Sequence, residues 1–172
     1  MRNLLVIVDM QNDFIDGALG TPEAQAIVPK ICDLIRNWNG DIAITYDTHD
    51  SNYLNTMEGN YLPISHCIKG TQGWYLNKQI ENAVSEKNFL ILKIEKDTFG
   101  SLELALKVYT YDSITIVGVC TDICVITNAT VLKTVRPNTV IKVLADCCAG
   151  TTPQAHQAAL TVMKNCQIEV IE

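Results

Sequence analysis

The sequence predicts a three-layer α/β/α domain built on a parallel β-sheet, and three observations carry that prediction. Six short Val- and Ile-rich runs recur along the chain, with stretches of helical apolar spacing between them. The runs are continuously apolar rather than alternating, as in strands covered on both faces. Several end on or just before a charged residue, the position where a doubly wound sheet collects its functional side chains.

Each element follows in order. Met1-Arg2-Asn3 passes straight into the run Leu4–Val8 with no small-residue cleavage site behind it, so the run reads as a strand and not as a signal peptide. Asp9 closes it. A helical pattern over Ala24–Asn37 precedes the strand Ile42–Tyr46, which Asp47 closes. Thr48–Gly73 follows neither period, and an irregular stretch of that length in a compact domain is usually functional. Helix Leu76–Val84 leads to strand Phe89–Leu92 with Lys93 at its end, then helix Leu102–Val108 and strand Ser113–Val117. Helix Asp122–Val135, strand Thr139–Leu144 (Asp146 at its close), helix Pro153–Asn165 and strand Ile168–Ile171 complete the series. The last helix has Pro in its first turn and Thr152 as N-cap. Strands joined by helices imply right-handed crossovers and a six-stranded parallel sheet. With no repeat or linker, residues 1–172 read as one domain.

Composition narrows the function. A net charge of −6 with scattered basic residues argues against nucleic acid or an anionic membrane surface as partner. No run reaches the length of a membrane span. Seven cysteines, an odd number set mostly in apolar runs, read as reduced thiols and not as a disulfide framework, which points to the cytoplasm.

Three constellations carry candidate chemistry. Ile116-Val-Gly-Val-Cys-Thr-Asp-Ile-Cys-Val125 runs out of a strand to Cys124, where a helix should begin. A thiol there meets the positive end of the helix dipole and free backbone N–H groups. The plain alternative is a small buried hydrophobe. Asp9 would take the thiol proton. A carboxylate alone would raise the thiol's pKa, so a cation must accompany it. Lys93 at a strand end is the candidate and Lys96 competes with it, spacing alone not excluding either. Asp47-Thr48-His49, Glu58 and His66 place two of the three histidines and two carboxylates around one loop, a donor set for Zn²⁺, Fe²⁺ or Mn²⁺, with solvent-facing histidines as the alternative. Phe14, Tyr53, Tyr61 and Trp74 would line an aromatic slot, or else pack a lid.

Taken together, these residues resemble the isochorismatase-like hydrolase superfamily and, within it, the nicotinamidase-like cysteine hydrolases. The resemblance spans nearly the whole chain in order. It rests on Val8-Asp-Met-Gln-Asn-Asp-Phe14, Asp47-Thr-His49, Pro63-Ile-Ser-His-Cys-Ile-Lys-Gly-Thr71, Lys93-Ile-Glu-Lys-Asp-Thr-Phe99 and Gly118-Val-Cys-Thr-Asp-Ile-Cys-Val125. It implies an isochorismatase-like fold with Asp9 as base, Lys93 as catalytic lysine in preference to Lys96, and Cys124 as nucleophile. It further implies a cis peptide at Val119-Cys120 and an oxyanion hole from the backbone N–H groups of Cys120 and Cys124. The metal ligands would be Asp47, His49 and His66, with Glu58 matching a carboxylate ligand. The cofactor would be a divalent metal, zinc first with iron or manganese as alternatives, holding a pyridine nitrogen. The implied reaction is hydrolysis of a small-molecule amide through a thioester, nicotinamide being the best single substrate, in a homo-oligomer. Thr48 and Tyr61-Leu62-Pro63 depart from the tryptophans that nicotinamidases commonly carry, which bears on substrate and not on chemistry. A ureido- or carbamoyl-amide hydrolase, a non-catalytic metal- or ligand-binding module, and a thiol-redox pair of Cys120 with Cys124 are the alternatives.

Overall fold

The computed structural model describes residues 2–172. Strand β1 (Asn3–Val8) is followed by the short helix α1 (Asn12–Ile15) and the long helix α2 (Pro22–Asn37), and β2 (Asp41–Asp47) lies beside β1. A long excursion carries only a 3₁₀ turn at Tyr53–Asn55 and helix α3 (Met57–Tyr61) before α4 (Lys78–Ser85) and strand β3 (Ile91–Lys96). Then come α5 (Leu102–Lys107), β4 (Ser113–Val119), a wide π-type turn at Thr121–Val125 that runs into α6 (Ile126–Val135), β5 (Val140–Ala149), α7 (Pro153–Asn165) and β6 (Glu169–Ile171). The six strands form one sheet in the order β3-β2-β1-β4-β5-β6, every pairing parallel.

Burial explains the continuously apolar strands. Leu4, Val6 and Val8 of β1 pack with α5, α6 and α7 on one face, whereas Leu5 and Ile7 pack with α2 and α4 on the other. All five are at 0% exposure, and full burial of such a side chain is worth about 1.5–3 kcal/mol. Helix starts follow the expected chemistry: the hydroxyls of Thr21, Ser101 and Thr152 accept from the backbone N–H three residues on.

Two strands run past the charged residue expected to close them. β3 extends to Lys96 instead of ending at Leu92, because it is an edge strand with one face left to solvent, so charged residues alternate with buried ones: Lys93 and Glu95 are exposed, Ile94 and Lys96 buried. β5 reaches Ala149 through an irregularity in its pairing with β4. Asp146 therefore lies within the strand and not at its end, 79% exposed and 3.7 Å from Lys30.

Strand order reverses between β1 and β4. Ligands of open α/β sheets bind in the crevice beyond that switch. There Gly118 pairs with Val8 at φ +119°, and a Cβ on Gly118 would run into the Val8 carbonyl oxygen. No helix among the described residues is long and apolar enough to cross a membrane.

Candidate active site

Asp9 follows β1 in a left-handed conformation, φ +50°. That geometry is uncommon for a residue with a side chain, though Asp tolerates it better than most, and here it sets the carboxyl at the mouth of the switch. Asp9 is fully buried. Thr45 Oγ1 donates to its Oδ1 at 2.6 Å and accepts from its backbone N–H at 3.2 Å. Its Oδ2 lies 2.7 Å from Lys96 Nζ but accepts no well-aligned hydrogen bond among the described residues, leaving a lone pair for a further donor.

Lys96 joins the site. Its ammonium, in a side chain only 2% exposed, also reaches Asp47 Oδ1 at 3.3 Å and Cys124 Sγ at 3.6 Å. Burial pushes the Lys96 pKa down, but the charges of Asp9, Cys124 and Asp47 outweigh it and hold the group cationic. The expectation of Lys93 is corrected by register. Lys93 pairs with Ile44 in the middle of β2, whereas Lys96 pairs with Asp47 at its end. Lys93 points to the exposed face of the edge strand, away from the crevice.

Cys124 sits in the wide turn after β4, whose N-cap is Cys120, and the Val119-Cys120 peptide is cis. Burial raises the Cys124 thiol well above its ordinary pKa, the Asp9 charge raises it further, and Lys96 opposes them. Asp9 is likewise raised, first by burial, against the pull of Lys96. At rest the proton therefore stays on the thiol beside a carboxylate able to take it. Asn128, at 0% exposure, fixes the turn: its amide donates to the Cys124 carbonyl at 2.8 Å and the Phe99 carbonyl at 3.1 Å, and its Oδ1 accepts from Ser101 N–H at 3.0 Å.

Asp47, His49, Glu58 and His66 come together, each offering one donor atom, all within 4.8 Å of one another. His49 Nε2 lies 3.0 Å from Asp47 Oδ2 and 3.8 Å from Glu58 Oε1; His66 Nε2 lies 3.3 and 3.7 Å from the same two atoms. Donors bound at 2.0–2.2 Å around a tetrahedral Zn²⁺ stand about 3.3–3.6 Å apart, so the set fits such an ion. His66 Nδ1 meets the Ile64 carbonyl at 2.8 Å, and since a carbonyl only accepts, Nδ1 carries the hydrogen and Nε2 is left for the cluster. Two carboxylates and two imidazole nitrogens form a donor set whose negative charge a divalent cation would neutralise. Burial, then repulsion from Asp47, raises the Glu58 pKa in the bare cluster. Despite burial, the neighbouring His49 and His66 rings and the Lys96 charge hold Asp47 well below the usual carboxylate range in the bare cluster.

Part of this constellation opens into a cavity of about 800 Å³, lined by Cys120, Cys124, Asp47, Glu58 and His66 and by apolar side chains including Phe14, Leu19, Leu62, Phe99 and Ile123, while His49 borders a second cavity. Of the four aromatics expected there, Phe14 and Tyr61 line it, Phe14 edge-on to the His66 ring at 5.5 Å. Tyr53 does not. It is 1% exposed, packs behind His49 and His66 at 4.7 and 4.9 Å, and borders a separate cavity of about 510 Å³. Trp74 does not line it either: its ring lies against Tyr46 and Tyr75, and its Nε1 donates to Thr48 Oγ1 at 2.9 Å. Phe99 and Asn128 were missed by the sequence reading. The signal for Asn128 was a polar residue on the apolar face of a helical pattern.

The fold and this site define the class, and comparison with known proteins agrees. The family model described as Isochorismatase domain matches residues 3–172, and the chain belongs to that family. It is an isochorismatase-fold hydrolase of amide carbon–nitrogen bonds. It is 25% identical over 183 residues to the nicotinamidase/pyrazinamidase of Mycobacterium tuberculosis, covering 97% of each chain. To the nicotinamidase of Saccharomyces cerevisiae it is 30% identical over 118 residues, 51% of this chain and 54% of that protein. Among solved structures, nicotinamidase/pyrazinamidase from Bacillus subtilis superposes with a TM-score of 0.85 at 25% identity over 100% of both chains. Pyrazinamidase of Pyrococcus horikoshii in complex with zinc gives 0.79 at 27% identity, covering 100% of this chain and 99% of that one.

Proposed function

We propose that the chain is a cysteine amidohydrolase that converts nicotinamide to nicotinate and ammonia through a thioester on Cys124. The observation that carries this reading is the contact of Lys96 with both Asp9 and Cys124, at 2.7 and 3.6 Å, beside a cavity whose wall includes Asp47, Glu58 and His66 of the donor cluster. The pyridine carboxamide is favoured over ureido and carbamoyl amides by that pairing: apolar walls suit a flat ring, and Phe14 stands edge-on to His66 where the ring would lie. The nicotinamidase relatives and the zinc-bound pyrazinamidase neighbour support the same choice.

In the proposed mechanism Asp9 Oδ2 accepts the Cys124 thiol proton as Sγ bonds to the amide carbon. The carbonyl oxygen becomes an oxyanion directed at the backbone N–H groups of Cys120 and Cys124. Protonated Asp9 returns its proton to the amine as the C–N bond breaks, and ammonia leaves. Asp9 then deprotonates a water that attacks the thioester, releasing the carboxylate and regenerating the thiol. Lys96 stays charged throughout and offsets the negative charge that moves between Asp9 and sulfur. Asp47, His49, Glu58 and His66 would hold the divalent cation, zinc by the chemistry of the donors, and what it supplies when bound is a Lewis-acidic contact for the pyridine nitrogen. Seven free cysteines accord with a reducing cytoplasm, and the 70% and 69% exposed Leu102 and Leu106 on α5 accord with a homo-oligomer.

Ammonia release from nicotinamide by zinc-loaded protein, with Cys124→Ala as control, tests the reading. Release that disappears in the variant is expected. Release from ureido or carbamoyl amides and none from nicotinamide would overturn the substrate while keeping the thiol chemistry.

A further inference from the structure

The segment Gln11–Asp13 takes no part in the mechanism above, yet its side chains reach both ends of the loop that carries the metal donors. Gln11 is at 0% exposure. Its Oε1 accepts from the Asp47 N–H at 2.8 Å, and its Nε2 donates at 2.8 Å to both the Asp47 carbonyl and the Trp74 carbonyl. Asp13 Oδ2 accepts from the Cys67 N–H at 2.7 Å, directly after His66. Cys67 is itself left-handed, φ +47°, a conformation that a side-chain-bearing residue keeps only when its surroundings hold it. The backbone of the segment closes the loop's far end: Asn12 N–H donates to the Tyr75 carbonyl at 2.9 Å, and Asp13 N–H to the Gly73 carbonyl at 3.0 Å. A Cβ on Gly73 would collide with the Asp13 carboxyl, so the loop is shaped to admit it.

We infer that Gln11 and Asp13 are positioning residues that pre-organise the metal donors, Gln11 by clamping the backbone of Asp47 and Asp13 by fixing Cys67 and thereby His66. The inference rests on the metal reading of the four donors. Its physical basis is that three of them (His49, Glu58 and His66) stand on a long, mostly irregular loop, and ordering such a segment only upon binding would subtract directly from affinity. Gln11 uses its acceptor and both its donors on backbone groups, so it fixes main-chain position and not merely a rotamer.

Zinc affinity, read by competition with a chromophoric chelator, tests this in the parent and in Gln11→Met, Asp13→Leu and Asp13→Asn, with the melting temperature of each metal-free protein as the control for folding. Gln11→Met and Asp13→Leu are expected to weaken zinc about 10–100-fold, the range typical for partners that orient metal ligands. Asp13→Asn, which keeps an acceptor for Cys67, is expected to stay close to the parent. Should Gln11→Met fail to fold, Asp13→Leu carries the comparison alone, since the two side chains hold different parts of the loop. Folded Gln11→Met and Asp13→Leu that bind zinc as tightly as the parent, even if they melt earlier, would overturn the inference. A parent that binds no zinc would remove the donor-set reading itself, and the clamp with it.

Discussion

Lys96 is the side chain on which the proposed chemistry turns. It touches Asp9, Asp47 and Cys124 at once, so it ties the metal-donor cluster to the nucleophile through a single ammonium. Replacing it with Met leaves the negative charge that moves between Asp9 and sulfur without its counter-charge, and kcat/KM for the amide is expected to fall about 10²–10³-fold, the loss typical when one electrostatic group is removed from a site. Lys93→Ala, on the exposed face of β3, is expected to leave steady-state kinetics unchanged; comparable losses in the two variants would refute the assignment. Asp9, Asp47 and Cys124 were legible in the sequence because each lies at or just beyond a strand whose ends the apolar run marks. The lysine was not, because an edge strand keeps charged residues on its open face and so hides its own end. Phe99 and Asn128 were hidden for another reason: only the fold brings Asn128, which holds the Cys124 carbonyl one turn before it, to the Phe99 carbonyl in a distant segment.

The irregular segment between β2 and α4 behaves differently from the elements around it. The alternation of strands and longer helices was readable throughout; the reading missed the short helices α1 and α3, began the helix at Asp122 where a wide turn precedes α6, and stopped strands short where they outran their apolar runs. The loop was marked as a candidate donor segment by its length and by two histidines, while the placing of Tyr53 and Trp74 needed coordinates, since an aromatic ring packs equally well before or behind a histidine. Tyr53 braces the donors from behind, its hydroxyl donating to the Leu62 carbonyl at 3.0 Å. With only short helical turns inside it, the segment depends on its few anchors and on the charge balance at the donors. Adding zinc to metal-free protein is therefore expected to slow amide exchange across residues 48–73 while leaving β4 unchanged. Equal protection with and without metal would contradict that dependence.

Across the molecule, the sheet order puts Asp9 and the Cys124 turn on the two strands that flank the reversal, which is why Cys124 faces the same cavity as Asp47, Glu58 and His66, with Asp9 buried behind it. The same dense sheet buries thiols away from the site. Burial pushes Cys148 up to about 12 from an ordinary value of 9, a hydrogen bond from Gly118 opposing it. The folded state thus keeps a proton that the unfolded chain releases above pH 9. Its stabilising contribution is complete below pH 9 and declines as pH rises toward 12, by about 1.4 kcal/mol per pH unit within that window. Urea unfolding from pH 8 to 10.5 is expected to show a steeper loss of stability for the parent than for Cys148→Ala, and parallel curves would contradict it. The central claim is that Cys124 carries the acyl group. Rapid acid quenching of zinc-loaded protein with excess nicotinamide, followed by peptide mass spectrometry, reads this directly: the account predicts a nicotinoyl thioester on the Cys124 peptide and none on Cys120, and sustained ammonia release by a Cys124→Ala variant with no acylated cysteine would contradict it.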